Sequence, residues 1–128
     1  PRAILFETAL HGEILNLDEV DKQRGYAGGM SANRINAGLG TIISQVLEQV
    51  GREKIAGLYT TGGDTMVNVC YQLGVECIEV MDYVIPQTDV GRLVGKYDGL
   101  PVVGKGGLTG NDNTACDIVE RLFKESAR

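Results

Sequence analysis

One apolar stripe constrains this chain more than any other feature. Ile35, Leu39, Ile42, Ile43, Val46, Leu47 and Val50 recur in steps of three and four, and Gly51 follows. That spacing predicts a long amphipathic helix with a glycine stop. A helix with one apolar face must bury that face against another layer. The residues that follow supply one. Ile55–Thr60 has strand length and composition, and Met66, Val69, Cys70 and Leu73 mark a second helix ending at Gly74. Val75–Val80 reads as another strand, residues 81–92 as a loop around Pro86, and Leu93–Tyr97 and Leu100–Val103 flank the hairpin dipeptide Asp98-Gly99. Ala115, Ile118, Val119, Leu122 and Phe123 give a last helix, with Thr114 and Asp117 as its capping box.

Upstream, Arg2–Thr8 has the look of a core strand. Asn16 with Glu19 should cap a short helix closed by Gly25, and residues 25–31 should form a mobile glycine-rich loop. Gly38 and Gly40 lie inside the long helix, where close packing on a neighbour would explain them. The order β-α-α-β-α-β-β-β-α predicts an α/β fold: a layered sandwich with a mixed β-sheet, and glycine-rich loops between strands and helices. Residues 1–128 suit one domain. The chain opens on Pro1 and enters a strand-like run within a few residues, so a piece of a longer protein is expected.

Composition narrows the function. Glycine occupies 18 of 128 positions, about twice its average usage. No collagen period or Gly/Ser run accounts for it, which leaves tight turns. A net charge of −5 argues against a nucleic-acid face but not against a nucleotide, which needs only a few local donors. Apolar runs are too short for a membrane span. Three cysteines without a C-x-x-C pair speak against a disulfide framework or zinc, and the reducing cytoplasm is the expected compartment.

Two loops carry the chemistry. Thr60-Thr61-Gly62-Gly63-Asp64-Thr65 joins a strand to a helix. A helix N-terminus offers unpaired N–H groups and partial positive charge, and glycines let a phosphate approach the backbone. Thr65 adds a hydroxyl. Asp64 would repel a bare phosphate, so a Mg²⁺ ligand or a helix cap is its expected role. The second loop, Lys105-Gly106-Gly107-Leu108-Thr109-Gly110, also joins strand to helix, with a lysine charge ahead of exposed glycine N–H groups. It is neither a Walker loop nor G-x-G-x-x-G. Taken singly, each loop also reads as a plain turn. Two of them in one small α/β domain point to a phosphate site at the carboxyl ends of the strands.

With Pro86 between them, Thr61–Thr65 and Val102–Gly110 resemble the C-terminal nucleotide-binding domain of the four-carbon acid sugar kinases, over about Ile4 to Phe123. The resemblance implies ATP-dependent phosphorylation of a threonate, erythronate or oxo-tetronate. The sugar acid and the base that activates it would belong mainly to a separate N-terminal sugar-binding domain of the same protein. It implies that Gly62, Gly63, Asp64 and Thr65 line the ATP phosphates. Lys105, Gly106 and Gly107 would meet the nucleotide from the opposite loop, and Asp64 is the candidate for Mg²⁺. The chain departs from the family pattern at Gly104, Leu108 and Thr109, and at Gln87, where a glycine commonly follows Pro86. The family's preceding Ser-rich loop and its sugar-binding domain have no counterpart in these residues, so this stretch alone is not expected to work as a kinase. A non-catalytic nucleotide- or ligand-binding regulatory module is the alternative, and a homo-oligomer is compatible with either.

Other residues read as structural. His11 sits in a polar loop without a visible partner. Cys70, Cys77 and Cys116 read as buried thiols. Asp82 and Asp89 flank Pro86 as surface carboxylates, and Arg92 is a candidate phosphate partner.

Overall fold

The computed structural model describes residues 2–128. Helix α1 spans Leu17–Arg24 and α2 Met30–Val50, followed by a 3-10 turn at Arg52–Lys54. Strand β1 (Leu58–Thr61), helix α3 (Gly63–Gln72), strands β2 (Val75–Ile85), β3 (Thr88–Gly95) and β4 (Pro101–Lys105), and helix α4 (Thr114–Ser126) complete the order. The sheet runs β1-β4-β3-β2, with β1 parallel to β4 and the other pairs antiparallel, so it is mixed as expected.

The sheet is covered on both faces. Leu47 of α2 and Val69 and Leu73 of α3 pack with Leu93, Tyr97, Leu100 and Val102. On the other side Ile118 and Leu122 of α4 pack with Val90 and Val103. Neighbours Val102 and Val103 thus enter opposite cores, the period-2 geometry of a central strand.

Local signals behave as their chemistry requires. Asn16 accepts from the Glu19 N–H at 3.3 Å, and Gly25 closes α1 in the left-handed conformation at φ 66°. Residues 25–29 form a turn tied by Asp21. Its buried carboxylate accepts from Gly29 N, Ser31 N and Ser31 Oγ at 3.0, 3.0 and 2.6 Å, capping α2 from the preceding helix. Helix α2 therefore starts at Met30, inside the stretch expected to be loop.

Four sequence expectations are corrected. Arg2–Thr8 forms no strand: Ile4 and Leu5 are exposed, and the segment joins no ladder. Strand-like composition makes a strand only where an edge accepts it. Residues 81–92 are not a loop but the facing ends of β2 and β3, turning at Pro86-Gln87. Val75–Val80 is the first part of β2 as expected, and register shifts at Val75/Cys77, Val80/Asp82 and Tyr83/Ile85 break the alternation that would have revealed its continuation to Ile85. The capping box is absent, because α4 starts at Thr114 behind Asn113, which makes no side-chain cap, and Thr114 Oγ1 instead accepts from Asn111 N at 2.8 Å. Cys77 and Cys116 are exposed, and only Cys70 is partly buried, which pushes its thiol pKa up.

Candidate functional site

Parallel pairing of β1 with β4 sets Thr61 beside Lys105, so the two glycine loops leave the sheet side by side. Gly62 N donates to Lys105 O at 2.9 Å and joins them directly. Beyond that bridge, α3 starts at Gly63 with no side-chain cap on its first turn. The leading N–H groups of a helix have no intrahelical acceptor. Those of Gly63, Asp64 and Thr65 therefore stand at the mouth of the paired loops, at the positive end of the helix dipole.

The second loop is braced from inside. Gly106 O accepts from Lys105 Nζ at 2.6 Å and from Thr109 Oγ1 at 3.1 Å. Gly106 N donates to Gln87 O at 2.8 Å, which fastens the loop to the β2–β3 turn. Gln87 has φ 62°, the one positive φ outside glycine among the described residues. A glycine would hold that conformation without strain. The Leu108 side chain at the loop tip is fully exposed.

The glycines divide by the reason for them. Gly62 has φ 91°, a conformation costly for other residues, whereas neither Gly63 nor Gly107 has a positive φ and a Cβ at either would meet nothing within 4 Å. Gly106 is closer set, with Gln87 Oε1 at 3.3 Å from a Cβ position.

The structure brings Gly62, Gly63, Asp64, Thr65, Lys105, Gly106 and Gly107 to one end of the sheet. Thr65 is partly committed elsewhere, since its hydroxyl donates to Asn36 Oδ1 of α2 at 2.9 Å. Asn36 is a positioning residue that the sequence did not single out, and only its place on the α2 face toward α3 could have suggested it. Asp64 is exposed on the first turn of α3. No group of three or more His, Cys, Asp or Glu side chains suited to a metal occurs among the described residues. A lone carboxylate still suits Mg²⁺, which usually keeps several waters and shares phosphate oxygens. Arg92 lies elsewhere: its register partner is Pro101, at the far end of β4, and its guanidinium donates to Gly99 O and Glu125 O at 2.9 and 3.0 Å. Asp82 is held 2.8 Å from Arg121, and His11 lies 3.0 Å from Glu7 on the surface, a partner the sequence had not suggested. No helix is long and apolar enough to cross a membrane among the described residues.

Residues 2–115 match the nucleotide-binding C-terminal domain family. The chain is 40% identical over 113 residues to a D-erythronate kinase of Heliobacterium modesticaldum, covering 88% of this chain and 26% of that protein. It is 36% identical over 87 residues to a D-threonate kinase of Salmonella typhimurium, covering 67% and 20%. The chain thus spans about a quarter or less of the length of these relatives. A Bordetella bronchiseptica protein of unknown function, solved with bound citrate as a domain-swapped dimer in two crystal forms, superposes with a TM-score of 0.67 at 27% and 28% identity. Each superposition covers 77% of this chain and 24% of that one. The chain belongs to the nucleotide-binding C-terminal domain family of the four-carbon acid sugar kinases.

Proposed function

We propose that this domain holds the phosphates of Mg-ATP in a kinase that phosphorylates a four-carbon sugar acid of the erythronate or threonate type. The sugar acid would be bound mainly by an N-terminal domain of the longer protein, and the compartment would be the cytoplasm. The observation that carries this reading is the pair Gly63 and Gly107. Neither backbone conformation nor packing demands glycine there, yet Gly63 stands one residue from Gly62 and Gly107 two residues from Lys105, the pair that the backbone bridge joins. Space kept clear of side chains beside helix N–H groups is what a phosphate requires. In the complex, the N–H groups of Gly63, Asp64 and Thr65 would hold one phosphate oxygen set. Lys105 would release its own loop carbonyl to neutralise another, and Asp64 would hold Mg²⁺ directly or through water. Positioning and charge neutralisation are most of what phosphoryl transfer asks of a protein.

The test is calorimetric titration of Mg-ATP into the longest chain containing this domain, beside its Gly63→Val and Lys105→Ala variants. Gly63→Val should abolish binding while keeping the melting temperature, because a Cβ there meets nothing within 4 Å. Lys105→Ala should weaken binding about tenfold or more, the scale of one charge-assisted hydrogen bond. Undiminished binding by Gly63→Val would sink the proposed site. Binding without turnover of any four-carbon acid by the full chain would replace the kinase with a regulatory nucleotide module.

A further inference from the structure

A second cluster of donors lies at the other end of β4. Pro101 opens that strand and Lys105 ends it, and five residues of strand separate the two ends by roughly 13 Å. At the Pro101 end a cleft of about 380 Å³ opens between the 3-10 turn and the end of α4. Arg52, Lys54, Arg92 and Arg128 line it, against a single lining carboxylate, Glu53. Buried Glu125 lies beside them, 3.6 Å from both Arg92 and Arg128 and 2.8 Å from Arg121. Even with Glu125 counted, the four lining cations exceed the carboxylates by two charges, in a chain whose net charge is −5.

Two of these cations are not used up by the fold. Arg52 and Lys54 form no ion pair among the described residues. Arg92 is fixed mainly by carbonyls, Gly99 O and Glu125 O, which orient its guanidinium without cancelling its charge. The cations also come from three separate parts of the chain: the 3-10 turn, β3 and the residues after α4. Like charges held together on separate elements repel, and an anion between them relieves that repulsion through charge-assisted hydrogen bonds. The volume exceeds the needs of a single phosphate group.

We propose that this cleft binds a small polyanion, a ligand with two or more phosphate or carboxylate charges, at a site separate from the glycine loops. Its place at the starting end of β4 puts it away from the strand ends where ligands of open α/β sheets gather. An effector role suits it better than a substrate role.

The experiment uses the longest chain containing the domain and titrates inorganic pyrophosphate and, separately, a tricarboxylate by calorimetry. Gly63→Val, in which the glycine-loop phosphate site is blocked, should still bind at least one of these anions saturably. The double variant Arg52→Ala with Lys54→Ala should lose at least tenfold in that affinity, with its melting temperature and Mg-ATP affinity unchanged. Lys54→Glu, at an exposed position, should show the same loss as a single change. Binding of pyrophosphate alone assigns a phosphate ligand, and binding of the tricarboxylate alone assigns a carboxylate one. No saturable binding of either anion by Gly63→Val, or an affinity that neither the double variant nor Lys54→Glu alters, overturns the proposal.

Discussion

At the scale of single residues, neighbouring side chains do unrelated work. Gly62 satisfies a backbone conformation, and Gly63 beside it keeps a space open. Asp21 and Asp64 are both carboxylates next to helix N-termini, yet Asp21 is buried and accepts from three donors, whereas Asp64 faces solvent. The donors around Asp21, led by the Ser31 hydroxyl, hold its carboxyl below the usual range. Asp21→Ala removes the cap of α2 and leaves the half-buried N–H groups of Gly29 and Ser31 without this acceptor. Its melting temperature should fall by roughly 4 °C or more, with Asp21→Asn falling less, as read by calorimetric scanning. An equal melting temperature for Asp21→Ala would deny the cap its structural role.

At the scale of elements, the packing of α2 on α3 separates two glycines that look alike in sequence. A Cβ at Gly40 would lie 2.9 Å from Asn68 O and 2.7 Å from Gln72 Cγ, whereas one at Gly38 would meet nothing within 4 Å. Close packing therefore explains Gly40 and not Gly38. Gly40→Val should destabilise by about 1–3 kcal/mol through overpacking, and Gly38→Ala should stabilise by about 0.5–1 kcal/mol through helix propensity. Denaturant midpoints measure both, and equal signs for the two would contradict this packing. The same contact places Asn36 against Thr65, so α2 also sets the shape of the first loop.

At the scale of the whole molecule, α4 is tied to the sheet by ion pairs. Arg121 Nε lies 2.8 Å from Glu125 and its Nη2 2.8 Å from Asp82 of β2, while Glu125 also faces Arg92 of β3. Arg121 foremost holds the Glu125 carboxyl below its ordinary 4.5, and it does the same for Asp82 below 3.8. A depressed folded pKa stabilises the fold above the unfolded pKa, and that stability is lost as pH falls through the folded value. The melting temperature should thus stay level from neutral pH down to about pH 5 and fall steeply below about pH 4. Glu125→Gln should start lower at neutral pH and fall less steeply, and a variant that tracks wild type at constant offset would refute the role given to Glu125.

Local chemistry settled much of this protein in its sequence alone. The helix read from Ile35 to Val50, the Asn16 cap, the Gly25 and Gly51 stops and the Asp98-Gly99 turn each depend on neighbours within a few residues, and each stands in the structure, although Ile35, Ile42 and Val50 of the helix's apolar stripe stay exposed. The family was legible as well, from the residues of Thr61–Thr65 and Val102–Gly110. Tertiary structure decided what depends on distant partners. Arg2–Thr8 has strand chemistry but no ladder, and β2 has a ladder but, through its bulges, no clean alternation. Whether Gly62 touches Lys105, whether Thr65 turns to Asn36, and whether Arg92 joins the glycine loops or the opposite cleft all follow from strand order. Strand order comes from pairing residues far apart in the chain, and no local pattern encodes that pairing.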